Sequence, residues 1–425
     1  MESDEQEHIV EVLREYRERL ECARRDLVRD DLSIEPDKDG VPTHPIVAEI
    51  LVVEARILDV ESALLKDLET GERQRLRTLR GRLSRIQARL SNLIERLREP
   101  TRPHVGWLRH HPPRPLLVPT RYFTTDPPQP APTISIVTPS FGQGHFLERT
   151  LYSVVNQNYP ALEYAVQDGG STDETIEVLR RYEGWLSRWV SEPDDGQGDA
   201  INRGFACTSG EIMAYLNSDD LLLPGSLAYV ARYFAAHPDV DVVYGHRLMI
   251  DEHDQQIGSW VLPRHDDREL TLVDFVPQET LFWRRAAWEA AGARIDPSLR
   301  FAIDWDLLLR LRDSGAKMVR VPRFLGAFRV HDDQKTSTWL DQCEIECDVL
   351  RRRTHGRTMS HDEAVARAAP YLRRQVAHHL WHRFKARLPL PRQPVRTRPM
   401  EPWFRASTAA EPQDERAEDR QRLLS

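Results

Sequence analysis

Short apolar runs separated by helical stretches, each run ending on a polar or acidic residue, constrain this 425-residue chain more than any other feature. Ile134-Ser135-Ile136-Val137-Thr138-Pro139 is a β-branched run stopped by proline, Phe146 to Asn156 reads as a helix, and Leu162 to Gln167 is a second strand. The loop Asp168-Gly169-Gly170-Ser171-Thr172-Asp173 follows, with Ser171 or Thr172 placed to cap a helix over Thr175 to Tyr182. A short strand at Trp189–Val190, a loop over Glu192 to Asp199, a helix to Cys207 and a strand over Ile212 to Leu216 extend the pattern. Such alternation predicts an α/β domain with a mostly parallel sheet and helices on both faces. In sheets of that kind ligands gather beyond the carboxyl ends of the strands, where Ser140, Asp168, Asp195 and Asp219 all fall.

The sharpest of these strand ends is Tyr215-Leu216-Asn217-Ser218-Asp219-Asp220, in which apolar residues run straight into an amide, a hydroxyl and two carboxylates. Adjacent carboxylates repel unless a cation or a donor lies between them. A hard divalent ion held by one or two carboxylates and the phosphates of a substrate would relieve that repulsion. The plainer alternative is a turn in which Asp219 or Asp220 caps the helix that follows.

Outside that region the chain changes texture. Residues 1–99 carry helical periodicity, and Leu76, Leu79, Leu83, Ile86, Leu90, Leu93 and Leu97 form a heptad seam. A self-folded helical bundle and an intermolecular coiled coil both satisfy that pattern. Ten prolines fall between Glu99 and Thr133, so residues 100–132 read as an extended connector, with Trp107, Leu116, Leu117, Val118 and Tyr122 available to pack. After the 133–340 domain, helices are expected over 341–388, and the tail 389–425 is expected to be disordered. Within the domain, strands are expected at Val240–Tyr244, Arg247–Ile250, Ile257–Val261, Gln278–Arg284, Met318–Val321 and Leu325–Val330.

Composition sets the outer bounds. The net charge of -8 argues against a basic nucleic-acid-binding coat. Four scattered cysteines form neither a zinc spacing nor a disulfide framework, which points to a reducing, cytoplasmic setting. The first residues lack a signal peptide's apolar core and no run is long enough to span a bilayer, so contact with the inner face of a membrane would be peripheral. Val376 to Phe384 could supply that contact or pack as a core helix.

Five ordered blocks of residues 133–335 resemble the family 2 glycosyltransferases, enzymes of the GT-A fold: Ile136-Val137-Thr138-Pro139-Ser140-Phe141, then Asp168-Gly169-Gly170-Ser171-Thr172-Asp173, Gly210-Glu211-Ile212, Asn217-Ser218-Asp219-Asp220 and Asp304-Trp305-Asp306-Leu307, with Ser153-Val154-Val155-Asn156-Gln157 alongside. The resemblance implies transfer of a sugar from a nucleotide-sugar donor, with inversion, to a glycan or lipid-linked acceptor. It implies that Pro139, Ser140, Phe141, Asp168, Gly169, Gln197, Asn202, Asn217 and Ser218 contact the donor. Asp219 and His331 would hold Mg²⁺ or Mn²⁺ at its phosphates, with Asp220, Asp306 and Lys335 in support. A surface turn would equally explain His331.

Inversion needs one carboxylate to deprotonate the acceptor hydroxyl. Asp306 lies four residues before Arg310 and can pair with it, whereas Asp304 begins the helix and faces where the preceding segment points, so Asp304 is the expected base. An N-cap is the alternative for Asp304. Two departures from the family pattern stand out. Gly169 replaces a second acid, which removes the usual reason to expect uridine, and Asn217 replaces the first acid of the metal motif. No Gln-x-x-Arg-Trp motif of the processive synthases is present, which favours transfer of a single sugar. The rival readings are a non-catalytic nucleotide-sugar scaffold acting through residues 1–99, and a sugar-nucleotide pyrophosphorylase, whose Gly-rich, Lys-bearing loop has no counterpart after Val137.

Overall fold

The structure, a computed structural model, describes residues 109–331, 340–386 and 391–399, with Arg14 and Arg17. Those two arginines apart, the helical module expected over 1–99 lies outside the described residues, as do Trp107, Lys335 and most of the expected tail.

In chain order the elements are β1 (Arg109–Arg114), β2 (Leu117–Pro119), β3 (Ile134–Ser140), α1 (Gly144–Val155), β4 (Leu162–Asp168), α2 (Thr175–Tyr182), β5 (Arg188–Ser191), α3 (Gln197–Phe205), β6 (Ile212–Tyr215) and β7 (Leu221–Leu222). There follow α4 (Ser226–Ala236), β8 (Val242–Ile250), β9 (Gln256–Trp260), α5 (Asp267–Leu270), β10 (Phe282–Arg284), α6 (Arg285–Ala290), α7 (Ile303–Asp313), β11 (Met318–Arg329), α8 (Leu340–His355), α9 (His361–Ala386) and β12 (Arg392–Pro394). No helix among the described residues is long and apolar enough to cross a membrane.

Ten strands form one sheet, ordered β1-β9-β8-β10-β6-β3-β4-β5, with β11 against β8 and β7 against β11. The β6-β3-β4-β5 half is parallel throughout. Beyond β6 the pairings to β10, β8, β9 and β1 are antiparallel, and β11 runs parallel to β8. In the parallel half alternate side chains enter different cores. Val137, Met213 and Tyr215 join Trp283, Trp305 and Leu308 in one cluster, while Ile134, Ile136, Ile212 and Ala214 join Leu147, Leu151 and Phe234 in the other. A strand covered on both faces has no polar side to present, which is why β6 reads as a continuous apolar run, while the buried Ser135 and Thr138 of β3 are satisfied by hydrogen bonds to Glu163 and Tyr164. Burying each large side chain fully contributes about 1.5–3 kcal/mol. Helix α3 lies directly on β3 at Gly204, where a Cβ would come within 2.4 Å of Val137 Cγ1.

Several elements differ from expectation. Val240–Tyr244 and Arg247–Ile250 merge into β8, because Gly245 lets β11 approach so closely that a Cβ there would meet Arg323 O at 2.6 Å. Likewise β11 is one strand, shifted in register between Arg320 and Phe324 around Pro322. Only the end of Gln278–Arg284 is strand; Gln278–Thr280 is a 3-10 turn. Within the proline-rich stretch, β1 joins the main sheet as its edge, beside β9, and β2 pairs with β12. Prolines are tolerated at such edges because no second neighbour requires their missing N–H. Leu116, Val118 and Tyr122 are buried, while Leu117 is exposed.

Candidate active site

The parallel half ends in one row: Ser140 pairs in register with Asp168, and Asp168 with Ser191. Asp168 is wholly buried, and its carboxylate accepts hydrogen bonds from Gly170 N at 3.1 Å, Ser171 N at 2.8 Å, Ser171 Oγ at 2.6 Å and Ser191 Oγ at 2.6 Å. Four donors exhaust what a carboxylate readily accepts, so Asp168 shapes the loop rather than reaching outward. The helix after that loop is not capped by Ser171 or Thr172. Asp173 instead accepts from Thr175 N at 3.1 Å and from Gly144 N at 2.9 Å, tying the starts of α1 and α2 together.

Outward from Asp168, Pro139 and Ser140 are buried at the strand end and Phe141 is 72% exposed. A Cβ on Gly169 would stand 3.2 Å from Phe141 Cδ2 and 3.1 Å from Asp194 Oδ2, so Phe141, Gly169 and Asp194 bound one slot. Burial raises Asp194 above the usual carboxylate range, with Asp199 and Asp168 adding to the effect against an opposing hydrogen bond from Gly196 N. Sequence reasoning missed Asp194; its only signal was the Glu192–Asp199 loop after β5. Gly196, at φ +107°, opens α3 in a conformation that disfavours any side chain, and a Cβ there would strike Arg300 Nη1.

The β6 exit is held from several sides. Asn217 Oδ1 accepts from Gln197 Nε2 at 2.7 Å, and Asn217 Nδ2 donates to Gln278 Oε1 at 3.2 Å. Ser218 Oγ donates to Gln143 Oε1, and Thr150 Oγ1 lies 2.8 Å from the carbonyls of both Ser218 and Asp220. Neither Asp219 nor Asp220 caps a helix: α4 starts later, behind Gly225. Asp220 is buried and accepts from Arg329 N at 3.0 Å. Burial pushes its carboxyl well up, and Asp219 and Glu279 push it further, so it acts as an internal support rather than a charge offered to the site. Asp219 is partly exposed and its Oδ2 lies 3.0 Å from His331 Nε2. His331 is 4% exposed, against the Phe146 ring, which removes the surface-turn alternative; its Nδ1 is buried without a hydrogen-bond partner. One carboxylate and one imidazole at that separation could hold a divalent ion, with the remaining ligands supplied from outside the protein.

Asp304 is the second residue of α7, behind an N-cap at Ala302, so it is not itself the cap. Its Oδ1 accepts from Trp305 N at 2.9 Å. Burial raises its pKa to about 6, against hydrogen bonding from Trp305 N and the charge of Arg247. Asp274, close enough to be raised by Asp304, is pushed well up chiefly by burial. Arg247 and Glu279 are joined by two side-chain hydrogen bonds, the first 2.8 Å long, and their charges reach both Asp304 and Asp220. The other acid of the motif has a different task. Asp306 is wholly buried and bridges Arg310 Nε at 2.8 Å and Arg353 Nη1 at 2.6 Å, clamping α8 onto α7. Glu346 of α8 accepts from the backbone N–H groups of Arg300, Phe301 and Ala302 at 2.8–2.9 Å, fixing the segment that delivers Asp304. Asn202 is also structural: its amide holds Ile295 through bonds of 2.7 and 2.9 Å.

With the site in this form, the family model described as Glycosyl transferase family 2 matches residues 135–287. A PGL/p-HBAD biosynthesis glycosyltransferase of Mycobacterium bovis is 30% identical over 196 residues, spanning 45% of this chain and 73% of the relative. The chain belongs to glycosyltransferase family 2. An uncharacterized glycosyltransferase of Mycobacterium tuberculosis is 43% identical over a shorter stretch, 91 residues, or 21% of this chain and 35% of that protein. Among solved structures, the mannosyltransferase PcManGT from Pyrobaculum calidifontis, in complex with GDP-Man and Mn²⁺, is 18% identical with a TM-score of 0.43, over 65% of this chain and 83% of that one. As a family 2 enzyme the chain is a glycosyltransferase, and its mixed α/β sheet, parallel from β6 to β5, is the GT-A type of scaffold.

Proposed function

We propose that this glycosyltransferase is inverting and metal-dependent, moving one sugar from a nucleotide-sugar donor to a hydroxyl of a glycan or lipid-linked acceptor. The observation that carries the reading is the division of the acids at the sheet edge. Asp219 stands 3.0 Å from His331 and partly open to solvent, while Asp304 is held by α7 with a raised pKa of about 6. A carboxyl poised there is deprotonated at neutral pH yet basic enough to take an acceptor proton as the hydroxyl attacks. The slot between Phe141 and Asp194 receives the nucleoside, with Gly169 allowing close approach of the backbone. Asn217 and Ser218 are oriented by Gln197, Gln278 and Gln143 towards the ribose and phosphates. A divalent ion at Asp219 and His331 would take up charge as the nucleoside diphosphate leaves.

The test is donor binding and turnover with and without Mn²⁺, in wild type and Asp219→Ala. Loss of the Mn²⁺-dependent affinity and of turnover in the variant is expected. Wild-type binding that ignores the metal would reject the metal assignment, and metal-dependent binding without turnover on any hydroxyl acceptor would favour the scaffold reading.

A further inference from the structure

The β8–β9 turn contains Asp254 at φ +63°, a left-handed conformation that aspartate and asparagine tolerate better than most residues. Its carboxylate is only 11% exposed and joins three distant parts of the chain. Oδ1 accepts from Arg329 Nη1 at 2.6 Å and Arg149 Nη1 at 3.3 Å, and Oδ2 accepts from Thr397 Oγ1 at 2.6 Å. Arg329 then reaches the metal-side acids directly: its Nε donates to Asp219 O at 2.8 Å and its backbone N–H to Asp220 Oδ1 at 3.0 Å. The same guanidinium lies 4.8 Å from the centre of the Phe146 ring, which also packs on His331. Thr397 belongs to a segment anchored independently. Arg392–Pro394 pairs with Leu117–Pro119, Val395 N donates to Leu116 O at 2.9 Å, and Thr120 N donates to Pro391 O at 3.1 Å.

We propose that Asp254 is a positioning residue for the metal-side acids, locked by Thr397, so that residues 391–399 form a strap fixing the direction in which Asp219 leaves β6. The proposal rests on the reading that Asp219 holds the metal. The physical reason is the wholly buried guanidinium of Arg329, which needs an anionic partner to remain where it is. Asp254 supplies that charge, and the bond from Thr397 holds its second oxygen so that the first stays aimed at Arg329. Without the lock Asp254 can turn with the loop, the Arg329 side chain loses its aim at Asp219 O, and the β6 exit keeps only the backbone bond from Arg329 N to Asp220 and the Thr150 anchors on that side.

The experiment uses the full chain as wild type, Thr397→Val, Thr397→Ser and Asp254→Asn. UDP and GDP affinities are measured by calorimetry with and without Mn²⁺, and amide hydrogen exchange is followed over 217–222 and 251–256 with neither metal nor nucleotide. Thr397→Val is expected to weaken Mn²⁺-dependent affinity about fivefold, the worth of one hydrogen bond, to leave metal-free affinity unchanged, and to speed exchange over 217–222. Thr397→Ser restores both, and Asp254→Asn exceeds Thr397→Val in both. Thr397→Val matching wild type in exchange over 217–222 overturns the proposal. If wild-type binding proves independent of Mn²⁺, the metal reading fails separately, and the exchange of the apo chain still decides whether the strap holds the β6 exit.

Discussion

Replacing Asp304 by Asn should abolish transfer and at the same time stabilise the protein. The amide keeps an oxygen to accept from Trp305 N, a bond of 2.9 Å in the native chain, so local geometry is preserved while the charge is removed. Losing a positioned general base typically costs about 10²–10⁴ in rate. Native activity should follow ionisation at about pH 6, where burial places the carboxyl. The rate should fall roughly tenfold for each pH unit below that, and level off above about pH 7. Stability runs the opposite way. The ordinary value is 3.8 and the folded value about 6, so the folded chain holds this proton more tightly than the unfolded one. The carboxyl's stabilising contribution is complete below the ordinary value and is lost as pH rises through about 6. A shift of about two units corresponds to roughly 3 kcal/mol, and because Asp304 is half-buried rather than enclosed, solvent screening reduces this to about 1–2 kcal/mol. Asp304→Asn should therefore melt higher than wild type at about pH 8 and lose that advantage towards about pH 4. Nucleoside diphosphate release from about pH 5 to 8.5, donor affinity, and thermal melts at both pH extremes supply the readouts. Turnover by the variant within tenfold of wild type, or a native profile flat across pH 5 to 7, would refute the assignment.

Two further substitutions test the scaffold beneath the site. Asp306→Asn breaks a buried bridge to Arg310 and Arg353, and should cost about 3 kcal/mol in urea denaturation; an effect below about 1 kcal/mol would show that the clamp between α7 and α8 is dispensable. Gly204→Ala drives a methyl into Val137 on β3 and should cost about 1–3 kcal/mol in thermal or urea unfolding; a neutral result would mean that α3 can lift off the strand freely.

The sequence by itself determined the scaffold and the position of its open edge. Runs such as Ile134–Thr138 and Ile212–Leu216, alternating with helices, are buried on both faces when a largely parallel sheet carries helices on each side, and their polar termini then meet at one edge. That reasoning placed Asp168, Asn217 and Asp219 at the edge, the family resemblance singled out the Asp304–Asp306 pair, and the i, i+4 spacing showed that Asp306 could pair with Arg310. Only tertiary structure decided how each acid is used. Whether a carboxylate faces a ligand or the protein depends on donors supplied from distant segments, and local spacing carries no record of them. Ser191, 23 residues on, helps to exhaust Asp168, and Arg353, 47 residues on, completes the hold on Asp306. Arg329, more than 100 residues on, turns Asp220 inward. Asp194 and Asp254 looked like ordinary loop acids and Glu279 like a strand residue until the fold placed a slot, a strap and Arg247 against them. At the Asn217–Asp220 stretch the result is a division of labour among neighbours: Asp219 stays open beside His331 because Asp220 is already committed to Arg329.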